Sequence, residues 1–143
     1  MLHKLNLQYI FSYLGLIPFF FIQINKYFFL QISEEIILNF SIYYSLIIIV
    51  FIGAINWNLD TKLKNTIVFY GFFPSLFSTI IIILNINKFN QFKIILSIII
   101  FFLIQLFFEY LIIHRGKTNK NVFYFLRLPL TLLIVTSLFL AIF

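Results

Sequence analysis

Polar residues come in short bursts along this chain, and between the bursts run five apolar stretches, about 6–24, 34–57, 66–84, 92–113 and 122–143. Crossing roughly 30 Å of hydrocarbon takes about 20 predominantly apolar residues, which each stretch supplies or approaches. The bursts read NKYFFLQISEE, NLDTKLKN, NINKFNQ and HRGKTNK. Connections this short predict tight turns and antiparallel neighbouring helices. The runs are continuous rather than ten-residue segments of alternating polarity, which argues against a β-barrel. The pattern therefore predicts an all-α polytopic membrane protein, a bundle of five transmembrane helices with short loops, forming a single domain over 1–143.

Composition strengthens this reading. The 143 residues are 63% hydrophobic and 10% charged, with a mean hydropathy of +1.10. Soluble domains are about 25% charged and roughly half apolar, so a chain this short lacks the interior to hide the excess. Ala is nearly absent (Ala54 and Ala141), while Phe, Ile, Asn, Lys and Tyr abound, the mark of an AT-rich genome. A single Phe or Ile therefore carries little functional information. The start, MLHKLNLQYIFSYLGLIPFFF, has a basic residue before an apolar run, as a signal peptide does. It lacks a small-residue cleavage site and further spans follow, so it reads as a retained first helix.

Apart from Arg127, the basic residues behind the formal charge of +6 lie in the gaps between apolar runs or at the ends of those runs. There is no continuous basic face for nucleic acid, and topology control and anionic headgroups explain the charge better. On the side of the N-terminus lie Lys4, Lys62, Lys64, Arg115, Lys117 and Lys120; the other side holds Lys26, Lys88 and Lys93. The positive-inside rule then puts the N-terminus in the cytoplasm and the C-terminus outside, in a bacterial cytoplasmic membrane.

Two kinds of residue predict how the helices meet. Pro18, Pro74 and Pro129 sit in the first, third and fifth stretches, and each removes the donor for a carbonyl four residues earlier, at Leu14, Tyr70 and Phe125. In lipid such a carbonyl needs a neighbouring helix, a hydroxyl or water. These prolines are read as packing kinks, or alternatively as the hinge of a cavity. Small residues also recur at helical spacing: Ser41, Ser45 and Gly53 in the second stretch, Gly71, Ser75 and Thr79 in the third. Close backbone approach along such stripes drives association in lipid, either inside the bundle or between two copies.

Two opposite charges, Glu109 and Arg127, each lie about five residues inward from the basic loop 114–121, mirrored about it. Ionisable groups at such depth are expensive and are usually paired. Tracing helix directions brings Asn56, Trp57 and Asp60, then Gln105 and Glu109, then Tyr124, Arg127 and Thr131 to the same cytoplasmic end. Pairing Glu109 with Arg127 predicts either an interhelical clamp or a site for a small anion, a proton or a lipid headgroup. Trp57 reads as an interfacial anchor, and Asn56 as a hydrogen-bond partner of the pair.

Other chemistry is absent from the sequence. There is no cysteine, Gly-rich phosphate loop, GxSxG or HExxH, and His3 and His114 stand at unrelated positions. No cofactor, metal or enzymatic activity is expected. The partners expected are the lipid bilayer and either a homo-oligomer or a larger membrane complex.

The runs YLGLIPFF (13–20), FIGAINWNLD (51–60), PSL (74–76) and LRLPLT (126–131) occur in that order. Together they resemble the domain-of-unknown-function family numbered 3429, which includes the eukaryotic transmembrane protein 69. The resemblance covers nearly the whole chain and implies a small five-helix membrane protein, bacterial or mitochondrial; it carries no activity with it. Gly53, Trp57, Pro74, Arg127 and Pro129 fall on the family pattern, and Glu109 fills its late acidic position. Where relatives often read His-Trp-Gly, this chain has Asn56 and Asn58, so a role needing an imidazole there is not carried over. Two functional readings result: a non-enzymatic membrane protein acting through helix packing, or a small-ligand carrier or receptor using Asn56, Glu109 and Arg127.

Overall fold

The computed structural model describes residues 7–29, 32–55, 65–114 and 122–142, and every regular element among them is helical. In chain order these are α1 (Leu7–Leu14), α2 (Ile17–Ile24), α3 (Glu34–Ile55), α4 (Asn65–Ile86), α5 (Gln91–His114) and α6 (Leu128–Ile142). A π-helical turn, Asn25–Phe29, extends α2, and a second, Phe123–Arg127, leads into α6. Four segments are long and apolar enough to cross a membrane: Glu34–Ile55, Val68–Ile86, Gln91–Leu111 and Phe123–Ile142.

The first apolar stretch is not one helix, as the sequence suggested, but two of eight residues. Pro18 sits in the first turn of α2 and has no N–H to give Leu14. The chain tightens there: the Leu16 N–H turns back to the Tyr13 carbonyl, three residues away. Helix also continues into Asn25–Phe29, where a polar loop was expected.

Three further helix ends follow capping rules. Glu34 and Glu35 occupy the first turn of α3, where negative charge meets the positive end of the helix dipole. Asn90 caps α5 by accepting the Lys93 N–H on its side-chain oxygen. The α4 end closes with paired bonds, Phe89 N–H to the Leu84 carbonyl and Lys88 N–H to Asn85. This Schellman geometry puts Lys88 at φ 55°, a conformation more often given to glycine.

The chain divides into two compact units, Asn39–Ile98 and the combination of Met1–Leu38 with Ile99–Phe143. In the first unit, α3 and α4 pack antiparallel. Buried positions on α4 are Tyr70 and then Gly71, Pro74, Ser78, Ile81 and Asn85, the last five in alternating steps of three and four. Gly53 on α3 lies so close to α4 that a Cβ there would come 2.7 Å from Pro74 Cγ and 3.0 Å from the Gly71 carbonyl. At the other end of the pair, Asn39 accepts a hydrogen bond from Asn85. Asn39 to Gly53 on α3 and Asn85 back to Gly71 on α4 are both steps of 14 residues, so one register serves both contacts.

Within the other unit, the N-terminal helices run parallel to the last one. Tyr13 meets Phe125, Gln23 meets Ser137, and Lys26 meets Leu140 and Ala141. Ten residues on the N-terminal side of this pairing match twelve on the C-terminal side. The tightened turn at Gly15–Leu16 stretches one side, and the π turn at Phe123–Arg127 shortens the other.

Exposed large apolar side chains occur on every helix, among them Phe11, Phe21, Ile47, Phe69, Phe107 and Leu132. Packed cores bury such groups, and apolar surface on this scale is surface for lipid.

Candidate functional site

The last turns of α5 meet the π turn before α6. The Tyr110 and Phe123 rings stand 6.0 Å apart, and one turn away Glu109 Oε2 lies 3.5 Å from Arg127 Nε. Both side chains are largely shielded, 12% exposed for Glu109 and 17% for Arg127. A short charge-assisted bond would measure about 2.7–2.9 Å, so this is a stand-off pair and not a bidentate clasp.

The turn that carries Arg127 is shaped by Pro129. Without an N–H at 129, the Phe125 carbonyl loses its intrahelical partner. The Leu128 N–H reaches back five residues to Phe123, which opens the π turn. The orphaned Phe125 carbonyl then accepts the Tyr13 hydroxyl of α1 at 2.7 Å. A hydroxyl from a neighbouring helix is one of the remedies lipid demands for a proline.

This pairing yields a sharp expectation. Tyr13→Phe should cost about 1–2 kcal/mol, because it strands a carbonyl away from water. Adding Pro129→Ala, which supplies the missing N–H, should recover most of that loss. Unfolding in mixed micelles followed by circular dichroism measures both; an unrecovered double variant refutes the account.

Other residues singled out from the sequence are placed as follows. Gln105, one turn before Glu109, is buried, and so is Thr131. Tyr124 is half exposed and packs edge-on against the Phe123 ring, in contrast to the buried Thr131. Asn56, Trp57 and Asp60 lie outside the described residues, as do Arg115, Lys117 and Lys120. Ser41, Ser45, Gly53 and Gly71 are buried, Ser75 is half-buried and Thr79 is exposed, its hydroxyl donating to the Ser75 carbonyl of its own helix. Pro74 is fully buried, and Pro18 stands at the break between α1 and α2. No three His, Cys, Asp or Glu side chains gather among the described residues in a way that would hold a metal ion.

Two polar sites were not anticipated. On the α2 side, the Lys26 ammonium donates to the Leu140 and Ala141 carbonyls, both at 3.0 Å, the Tyr27 hydroxyl donates to Leu140, and Gln23 donates to Ser137. The Leu140 and Ala141 carbonyls belong to the last turn of α6, where carbonyls lack an intrahelical donor and carry the negative end of the dipole. The second site is an amide knot between α3, α4 and α5. Asn39 Oδ1 accepts from Asn85 and Gln91, both at 3.0 Å, and Asn85 also donates to the Tyr43 hydroxyl at 3.1 Å. Replacing Asn39 by Leu strands two donors and should cost about 1–2 kcal/mol, with the Asn39→Leu, Asn85→Leu pair costing less than the sum. Additive losses in a micelle unfolding titration would refute the knot.

Four membrane-compatible helices, polar ties from helix to helix and an apolar exterior define a helical protein built for lipid. More specifically, the chain belongs to the family described as "Protein of unknown function (DUF3429)", whose pattern it matches over residues 6–143. No curated protein and no solved structure matches it.

Proposed function

We propose that the chain is a five-span protein of the bacterial cytoplasmic membrane, N-terminus inside and C-terminus outside, acting without catalysis through helix packing with itself or within a larger membrane complex. The observation that carries this is the division of labour in the side chains. The buried amides and the charged pair join one helix to another, while the outward faces are apolar. Such a molecule presents helix surface, not a reaction centre. The fifth crossing draws support from the parallel pairing of residues 13–27 with the segment Phe123–Ile142, which is itself long enough to span. An odd number of crossings makes the first and last helices parallel.

The cysteine-free sequence allows a clean test. Single cysteines at Asn58 and Asn119 should be blocked from an impermeant maleimide in intact cells, and one at Asn90 should react. Labelling of Asn58 and Asn119 with protection of Asn90 would reverse the orientation. The same cells, cross-linked before extraction, should yield this chain joined to a second copy or to a larger assembly. A chain recovered only as a monomer overturns the packing role.

A second reading, a receptor or carrier for a small ligand at Glu109 and Arg127, is favoured by one observation. The carboxylate stands off from the guanidinium instead of filling it.

A further inference from the structure

Arg127 is under-used. A guanidinium offers five N–H donors in a rigid fork. Here its closest approach to Glu109 is 3.5 Å, through Nε, and among the described residues Glu109 is its one partner. The carboxylate therefore orients the group and offsets its charge without saturating its donors. An arginine whose Nε edge faces a carboxylate keeps its terminal Nη edge for a second acceptor, and planar forks match phosphate oxygens well. The side chain retains 17% exposure, so it is not sealed.

Depth narrows the acceptor. Arg127 lies four residues beyond Phe123, where the apolar segment Phe123–Ile142 begins, and that is about 6 Å along a helix axis. An extended arginine reaches from such a depth to the headgroup level, where lipid phosphates lie. In the sequence just ahead stand Arg115, Lys117 and Lys120, a basic stretch of the kind that concentrates anionic lipid at a membrane surface.

We infer that Arg127 binds a phosphate group, with the phosphodiester of an anionic phospholipid as its first source, and that Glu109 is the positioning residue that presents the guanidinium. This rests on the ligand reading above and specifies the ligand's chemistry. Glu109 has two opposing effects: it aims the fork, and its charge repels the phosphate. Neutralising it without changing its shape strengthens binding.

The test uses the full chain, delipidated in detergent, with phosphatidylglycerol, diacylglycerol and inorganic phosphate as probes. Native mass spectrometry should show one phosphatidylglycerol bound saturably and no diacylglycerol. Glu109→Gln should bind roughly tenfold tighter and Arg127→Lys, which keeps charge but loses the fork, roughly tenfold weaker. Should Arg127→Lys fail to fold, Glu109→Gln and the unmodified chain still decide the matter. In the unmodified chain, phosphatidylglycerol should protect Arg127 but not Arg115 from phenylglyoxal. Protection by inorganic phosphate but not by the lipid keeps the phosphate assignment and makes the free ion its source. Protection by acetate alone overturns the phosphate assignment while the ligand reading survives. If no anion protects Arg127, or if Glu109→Gln binds lipid no more tightly, the inference fails; the first of these results removes the ligand reading as well.

Discussion

Gly53→Leu should unfold this protein more readily than any other single change on the α3–α4 face. The space for a side chain does not exist: even a methyl group at 53 would sit 2.7 Å from Pro74 Cγ and 3.0 Å from the Gly71 carbonyl. Neither neighbour can move cheaply, since one belongs to a closed ring and the other is helix backbone. Overpacking typically costs about 1–3 kcal/mol, and a leucine here belongs at or beyond the top of that range. Gly53→Ala makes the informative comparison. Alanine is favoured over glycine in a helix by about 1 kcal/mol, so the clash must first exceed that gain before any loss is seen. Removing the ring with Pro74→Ala should relieve part of the clash, and the two substitutions together should cost less than their sum. Unfolding in mixed micelles, with helicity as the signal, measures each corner of the cycle. An unchanged midpoint for Gly53→Leu would mean that α3 and α4 are not in this register.

Most of this packing was legible in the sequence for a simple reason: hydrocarbon forbids ambiguity. Uninterrupted apolar runs placed α4 and α5 within two residues of their observed ends, 66–84 against Asn65–Ile86 and 92–113 against Gln91–His114. Glu109 and Arg127 stood out because a charge in such a run must be compensated. The stripe of Gly71, Ser75 and Thr79 was legible only at its start. A strict step of four drifts about 40° per step on a helix of 3.6 residues per turn, so Thr79 has rotated out of the face while Ser78 stays in it. What the sequence hid are bonds whose partners come from afar. Lys26 and Tyr27 look like loop residues until the last carbonyls of α6, more than a hundred residues later, are set beside them. Asn39, Asn85 and Gln91 stand near helix ends, where an amide passes for ordinary interfacial polarity.

Breaking the charged pair should give unequal losses, and the inequality is the diagnostic. Arg127→Leu takes the guanidinium away from a shielded carboxylate, so holding Glu109 charged becomes more costly. Removing one member of a fully buried pair costs about 3–5 kcal/mol. The 3.5 Å stand-off and the residual exposure of both side chains reduce this, so a loss of about 2–3 kcal/mol is expected. Glu109→Leu should cost less, about 1 kcal/mol, because an arginine near the end of a span can turn its head toward the lipid headgroups. With both residues leucine neither problem exists, and the double variant should be nearly as stable as the parent. The cycle then yields a coupling of at least 1 kcal/mol; simple additivity would sink the clamp. The exchanged pair, Glu109→Arg with Arg127→Glu, separates packing from binding. A clamp is indifferent to which helix carries which charge, so stability should return. Phosphate retention should not return, because the guanidinium then sits on α5, without the Pro129-shaped turn that holds it at position 127. Recovery of both properties would mean that phosphate retention does not depend on the geometry at position 127, and the role inferred for Arg127 would fall.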